Sequence, residues 1–199
     1  MSVNNRVPLN DVDGLIFDLD GTLVDSALDF AAIRNELDCP PGLGVLEFID
    51  QLPNADTRRW AHRVVLRHEI AGAERATLIP GADTLLSALA ERNIPTAILT
   101  RNASQVAALT LERLNLDVKL VLAREDCAPK PDPEGLQRIA NTWSISTQRL
   151  IYVGDFIYDL QAANRAGMRG CLYDPDGNSP YRGHADIVVS SLLALLPEH

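Results

Sequence analysis

Lysine is nearly missing from this chain. Of the 18 basic residues among 199, sixteen are Arg and only Lys119 and Lys130 are Lys, so neither lysine is background and each needs a reason. Cysteine is sparse as well. Cys39, Cys127 and Cys171 form no CxxC pair and are odd in number, which argues against a disulfide framework or a zinc site and reads as reduced thiols. Bases are outnumbered by acids, 18 against 27, for a net charge of −9 and a pI near 4.8. That balance lacks the basic footprint of a nucleic-acid binder and disfavours anionic membrane surfaces. It would also repel a phosphorylated substrate unless a bound cation reverses the local field. No apolar run approaches the length of a membrane span, and residues 1–13 carry no signal-peptide hydrophobic region. The expectation is a soluble cytoplasmic protein, monomer or homodimer. Its length suits one α/β domain with a modest insertion.

What is present centres on Gly14-Leu15-Ile16-Phe17-Asp18-Leu19-Asp20-Gly21-Thr22. A short apolar run ending in an acid reads as a buried parallel strand reaching its C-terminal edge. Asp18 and Asp20 are two apart, so they start on one side of the strand, and Gly21 lets the backbone turn sharply after them. Paired carboxylates repel unless a cation or a proton separates them.

Beyond Ser26, a plausible helix N-cap with Asp29 three residues on, the pattern turns helical. One helix is expected to Leu37, a second over 45–52, and a third over about 55–73. Residues 26–78 thus read as a helical insertion with no strand signal. From Ile79 strands and helices alternate. Strands are expected at 94–100, 118–122, 149–153, 170–173 and 186–189, with helices between them at 83–92, from a cap at Asn102 through Leu114, at 134–143, and ending at Gly167. This is the pattern of a doubly wound parallel sheet. The domains would be a core of residues 1–25 and 79–199, and a small helical cap of 26–78.

Polar groups recur at strand ends: Asp18 and Asp20 after the first, Thr100 after the second, Asp155 and Asp159 after the fourth, with Lys130 in the loop before a helix. In a parallel sheet these ends share one edge, where such sheets bind ligands. The order Asp-x-Asp-Gly-Thr, Thr, Lys, Gly-Asp-x-x-x-Asp resembles the haloacid dehalogenase-like (HAD) hydrolase superfamily, and within it the branch of phosphoglycolate phosphatases and β-phosphoglucomutases. The resemblance covers nearly the whole chain. It implies a Rossmann-like core with a helical cap inserted after the first motif, and a Mg²⁺-dependent phosphatase acting on a small phosphorylated metabolite. By the same resemblance Asp18 is the nucleophile that forms an aspartyl-phosphate, and Asp20 the general acid and then base. Thr100 and Lys130, with Arg101 as a further candidate, bind the phosphoryl group. Asp155 ligates Mg²⁺ together with Asp18 and the backbone carbonyl of Asp20, and Asp159 supports the site. The chemistry agrees, because phosphoryl transfer needs positioning and positive charge, and Mg²⁺ takes hard oxygen ligands.

Neighbouring chemistries separate on single residues. A dehalogenase has no use for Asp20, and a phosphonatase of the superfamily needs a cap lysine that residues 26–78 lack. A sugar phosphomutase uses the same core residues and stays open as the alternative. A phosphorylation-driven receiver would lack both the insertion and the acids at 155 and 159. In the cap, Arg58, Arg59, Arg63 and Arg67 read either as a solvated helix face or as binders of a second anionic group. His62 and His68 do not share a face. Phe156 and Tyr158 either line the pocket mouth or only pack.

Overall fold

The computed structural model describes Val7, Leu9 and residues 11–196. Among the described residues the chain forms eight strands and seven α-helices, numbered in chain order. The core strands are β1 (Gly14–Phe17), β4 (Thr96–Leu99), β5 (Leu120–Leu122), β6 (Leu150–Gly154), β7 (Arg169–Tyr173) and β8 (Ile187–Val189). They form a single parallel sheet in the order β5-β4-β1-β6-β7-β8. The helices between them are α4 (Ala82–Glu91), α5 (Ser104–Arg113), α6 (Glu134–Trp143) and α7 (Ile157–Ala166).

The strands are apolar along most of their length because helices cover both faces. Side-chain alternation divides them: Leu15, Phe17, Ile98, Ile151 and Val153 pack with Leu85 and Leu89 of α4, whereas Ile16, Ala97, Leu99 and Tyr152 pack with Leu136 and Ile139 of α6 and Ala162 of α7. The expected α/β doubly wound, Rossmann-like parallel core is therefore the observed one. Gly167 ends α7 in the left-handed conformation, as a C′ glycine should.

Between β1 and the rest of the core the chain makes β2 (Val24–Asp25), α1 (Phe30–Leu37), α2 (Val45–Asp50), α3 (Ala55–Arg75) and β3 (Thr77–Leu78). The three helices gather their own apolar cluster around Ile33, Leu37, Ile49, Val64 and Val65. Two expectations are corrected here. The segment does contain a strand, since β3 pairs antiparallel with β2 and closes the base of the insertion. Two residues are too few to show a period of two, and only the tertiary pairing makes them a strand. Nor does Ser26 cap α1. The backbone N–H of Ala27 bonds to Asp25 Oδ1 in a turn with Ala27 at φ +47°, so the helix starts later and Asp29 caps it by accepting from the Ala32 N–H at 2.8 Å.

A third correction concerns α5. Asn102 does not cap it: the helix begins at Ser104, whose N–H and hydroxyl both donate to Glu125 Oε2 from the loop after β5. Asn102 is thereby free for another task. Among the described residues no helix is long and apolar enough to cross a membrane.

Candidate active site

Three adjacent strands deliver the central groups. β1 ends in Asp18, whose N–H continues the ladder to the Val153 carbonyl at 2.8 Å. On one side β4 ends in Thr100, its N–H bonded to the Leu122 carbonyl, and on the other β6 runs into Asp155. Chain order reverses about β1, so the crevice outside these strand ends is where an open α/β sheet takes its ligand.

Lys130 explains itself at once. Its ammonium is buried and lies 2.8 Å from Asp18 Oδ1, 2.7 Å from Asp159 Oδ1 and 2.9 Å from the Tyr152 hydroxyl. Burial alone would disfavour its charge, but the Asp159 and Asp18 carboxylates more than offset that and hold it protonated above the usual lysine range. Lys119, by contrast, is exposed and pairs with Asp117 on the surface.

Asp159 is positioned by local structure. As the third residue of α7 it accepts the Phe156 N–H on Oδ2 at 3.0 Å, capping the helix, while Oδ1 faces Lys130 and the Tyr152 hydroxyl. Gly154 makes this possible, because a Cβ there would lie 2.3 Å from Asp159 Cγ. Gly21 plays the same part for Asp155: at φ +80° only glycine is comfortable, and a Cβ would lie 2.5 Å from Asp155 Oδ2. The Thr22 hydroxyl, fully buried, donates to Asp155 Oδ1 at 3.2 Å.

Asp18, Asp155 and Asp159 each offer a carboxylate oxygen within 4.8 Å of the others, a hard-oxygen set that fits a divalent cation such as Mg²⁺. Burial pushes the Asp18 carboxyl up to about 8, despite the Lys130 charge that pulls it down and with Asp159 and Asp155 adding to it. Burial likewise raises Asp155 to about 6, with Asp159 adding to the effect. Carboxylates crowded in this way are stabilised by a cation between them.

Asp20 stands apart from that triad. Its Oδ2 accepts from Asn102 Nδ2, and both residues line the cleft. Arg101 also lines it, but its Nη2 sits 2.6 Å from Glu47 Oε1 of α2 and its guanidinium lies over the Tyr158 ring at 5.3 Å from the centroid. A second tie crosses from the core to the insertion: Arg124 grips the buried Glu69 of α3 through two bonds of 2.9 and 3.2 Å. None of Arg58, Arg59, Arg63 and Arg67 lines the cleft; Arg67 pairs with Glu36, Arg59 with Asp56, and Arg58 donates to the Leu52 carbonyl.

Two contributors escape sequence reasoning. Tyr152 carried a faint signal, a lone hydroxyl-bearing residue in the otherwise apolar run Leu150–Gly154, and its hydroxyl also reaches the Leu99 carbonyl at 3.1 Å. Asn102 was legible only as a helix cap.

A model of the haloacid dehalogenase-like hydrolases matches residues 12–167. A haloacid dehalogenase-like hydrolase domain-containing protein of Arabidopsis thaliana is 29% identical over 90% of this chain and 76% of its own length. A plasmid-encoded phosphoglycolate phosphatase of Cupriavidus necator is 31% identical over 91% of this chain and 90% of its own. Among solved structures, a hydrolase from Pseudomonas syringae superposes with a TM-score of 0.75 at 26% identity, covering 93% of this chain and 96% of that one. With the family model spanning most of the sequence and the acids, threonine and lysine gathered at one sheet edge, this chain belongs to the haloacid dehalogenase-like hydrolase family.

Proposed function

We propose that this protein is a Mg²⁺-dependent phosphatase that hydrolyses a small phosphorylated metabolite through an aspartyl-phosphate on Asp18. The observation that carries this reading is the contact of Lys130 Nζ with both Asp18 and Asp159 at the end of β1. A buried ammonium beside a nucleophilic carboxylate is what a phosphoryl group with three charged oxygens requires. The phosphoglycolate phosphatases among the relatives support the reaction class. The reading includes a cytoplasmic enzyme, monomeric or homodimeric.

In the first half-reaction an Asp18 oxygen attacks phosphorus and the bond to the leaving oxygen breaks. Asp20, held by Asn102, gives its proton to that oxygen. Thr100 and Lys130 hold the transferring oxygens, and Arg101 joins them only by leaving Glu47. In the second half-reaction Asp20 takes a proton from water, the water oxygen attacks phosphorus, and the bond to Asp18 breaks, releasing phosphate. Such proton transfer contributes about 10²–10⁴-fold. Asp18 and Asp155, with the Asp20 backbone carbonyl and with Asp159 in support, would hold Mg²⁺, which would supply the positive charge that lets an anionic nucleophile meet an anionic ester.

Phosphate release from a panel of phosphometabolites, with Mg²⁺ or EDTA, tests this on wild type and Asp18→Asn. Release that needs the metal and vanishes in the variant is expected. Isomerised sugar phosphate without release would establish a phosphomutase instead.

A further inference from the structure

Resting on the phosphatase reading above, the cleft also reports what its substrate carries beyond the phosphate. The phosphoryl seat lies deep, against the buried Lys130 and Thr100, so the leaving group must extend toward the inserted helices. The cleft encloses about 660 Å³, far more than a two-carbon leaving group fills and of the size that holds a ring-bearing molecule. Its wall on that side is apolar, built from Leu28, Ile33, Leu43, Val45, Leu46 and Val65.

Two aromatic residues on this lining are left partly bare: Phe30 is 59% exposed and Phe156 is 42% exposed. The Phe156 ring is held in place, edge-to-face, by Tyr158 at 5.2 Å and Tyr181 at 5.1 Å. Exposed rings beside an apolar wall gain from being covered, and a second ring covers them best.

Charge disfavours the other obvious occupant. Seven acids and three bases line the cleft. Of those bases Lys130 belongs to the phosphoryl seat and Arg101 is paired with Glu47, which leaves Arg34, whose Nη1 donates to the Pro40 carbonyl at 3.1 Å. A carboxylate or second phosphate on the leaving group would therefore meet far more acids than bases free to pair with it. We infer that the preferred substrate is a phosphomonoester whose leaving group is uncharged and carries a flat aromatic ring, seated between Phe30, Phe156 and the apolar wall of the inserted helices.

The test compares benzyl phosphate, ethyl phosphate and phosphoglycolate with the Mg²⁺-loaded enzyme. Benzyl alcohol and ethanol are similar in acidity, so the first two esters differ mainly in the ring. Benzyl phosphate is expected to exceed ethyl phosphate in kcat/KM by about ten- to a hundredfold, chiefly through KM, as burial of one ring should give. Phosphoglycolate should be the poorest of the three. In Phe30→Ser and Phe156→Ser the benzyl-to-ethyl ratio should fall several-fold, a readout that general loss of activity does not move. Binding of benzylphosphonate and ethylphosphonate, measured by calorimetry, ranks the same seat without turnover. Equal treatment of benzyl and ethyl groups in both assays, or preference for phosphoglycolate, overturns the inference and leaves the phosphatase reading standing. No hydrolysis of any ester, with benzylphosphonate still bound the more tightly, overturns the reaction and keeps the aromatic seat.

Discussion

Lys130 and Asp159, 29 residues apart in the chain, form a buried ion pair with Nζ 2.7 Å from Oδ1. The same ammonium touches Asp18, so one lysine neutralises two acids that burial would otherwise leave exposed to each other's charge. Removing it leaves both carboxylates without a counterion. Lys130→Met is expected to abolish phosphate release and to cost about 3–5 kcal/mol of stability in urea denaturation, the range for breaking a buried pair from one side. A stability loss too small to resolve would show that the pair does not organise the site.

Gly154→Ala tests the position of Asp159 without replacing any charged residue. The added methyl would lie 2.3 Å from Asp159 Cγ, so the carboxylate has to leave Lys130 and the Phe156 N–H. The expected result is a loss of about 1–3 kcal/mol, as for overpacking elsewhere, with kcat reduced tenfold or more. Wild-type kcat in a folded variant would mean that Asp159 is not needed where it stands.

Tyr152→Phe deletes one buried hydroxyl that faces Lys130, Asp159 and the Leu99 carbonyl. Stability should fall by about 1–3 kcal/mol because those partners lose a hydrogen bond in a water-free interior. Its effect on catalysis should appear in kcat more than in KM, since the hydroxyl positions Lys130 and does not itself reach substrate. An unchanged kcat would limit Tyr152 to packing.

Burial raises the metal-free carboxyls of Asp18 to about 8 and Asp155 to about 6, above the ordinary aspartate value they recover on unfolding. The folded protein therefore holds more protons than the unfolded chain between about pH 4 and 8, and its stability in EDTA should fall as pH rises through that window. In Asp18→Asn the Asp18 part of this fall disappears, so the variant should gain on wild type as pH increases. Mg²⁺ at a hundredfold its dissociation constant should restore about 2.7 kcal/mol to wild type at pH 8, and less at pH 5 where protons compete for the ligands. Thermal unfolding across pH with and without Mg²⁺ measures all three, and a wild-type stability in EDTA that climbs from pH 5 to 8 contradicts the assignment.

Asn102→Ala removes the side-chain amide that donates to the Asp20 carboxylate in the cleft. The variant should fold normally and lose about tenfold or more in kcat, less than the ~10²–10⁴-fold expected of Asp20→Asn, which removes the proposed acid–base group altogether. Equal losses in the two variants would mean that Asn102 does more than orient Asp20.

Local pattern determined a great deal. The apolar runs before Asp18, Thr100 and Asp155 are short and β-branched or leucine-rich, so they read as strands covered on both faces. A parallel sheet then obliges their acids and hydroxyl to meet at one edge. The scarcity of lysine marks Lys119 and Lys130 alike, and the place of Lys130 in the motif order separates the two. Other features depend on partners far away in sequence, and there only the tertiary structure decides. Thr77 and Leu78 become a strand because Val24 and Asp25 lie beside them. Asn102 looks like a helix cap until Glu125 takes the α5 N-terminus and Asp20 takes the amide. Arg101 follows Thr100 directly, yet Glu47 and Tyr158 set where its charge rests. A buried strand is marked by an apolar run within the strand itself, which a sequence displays. The direction of a long polar side chain is dictated by whichever partner the folded chain brings within about 3 Å, which a sequence does not.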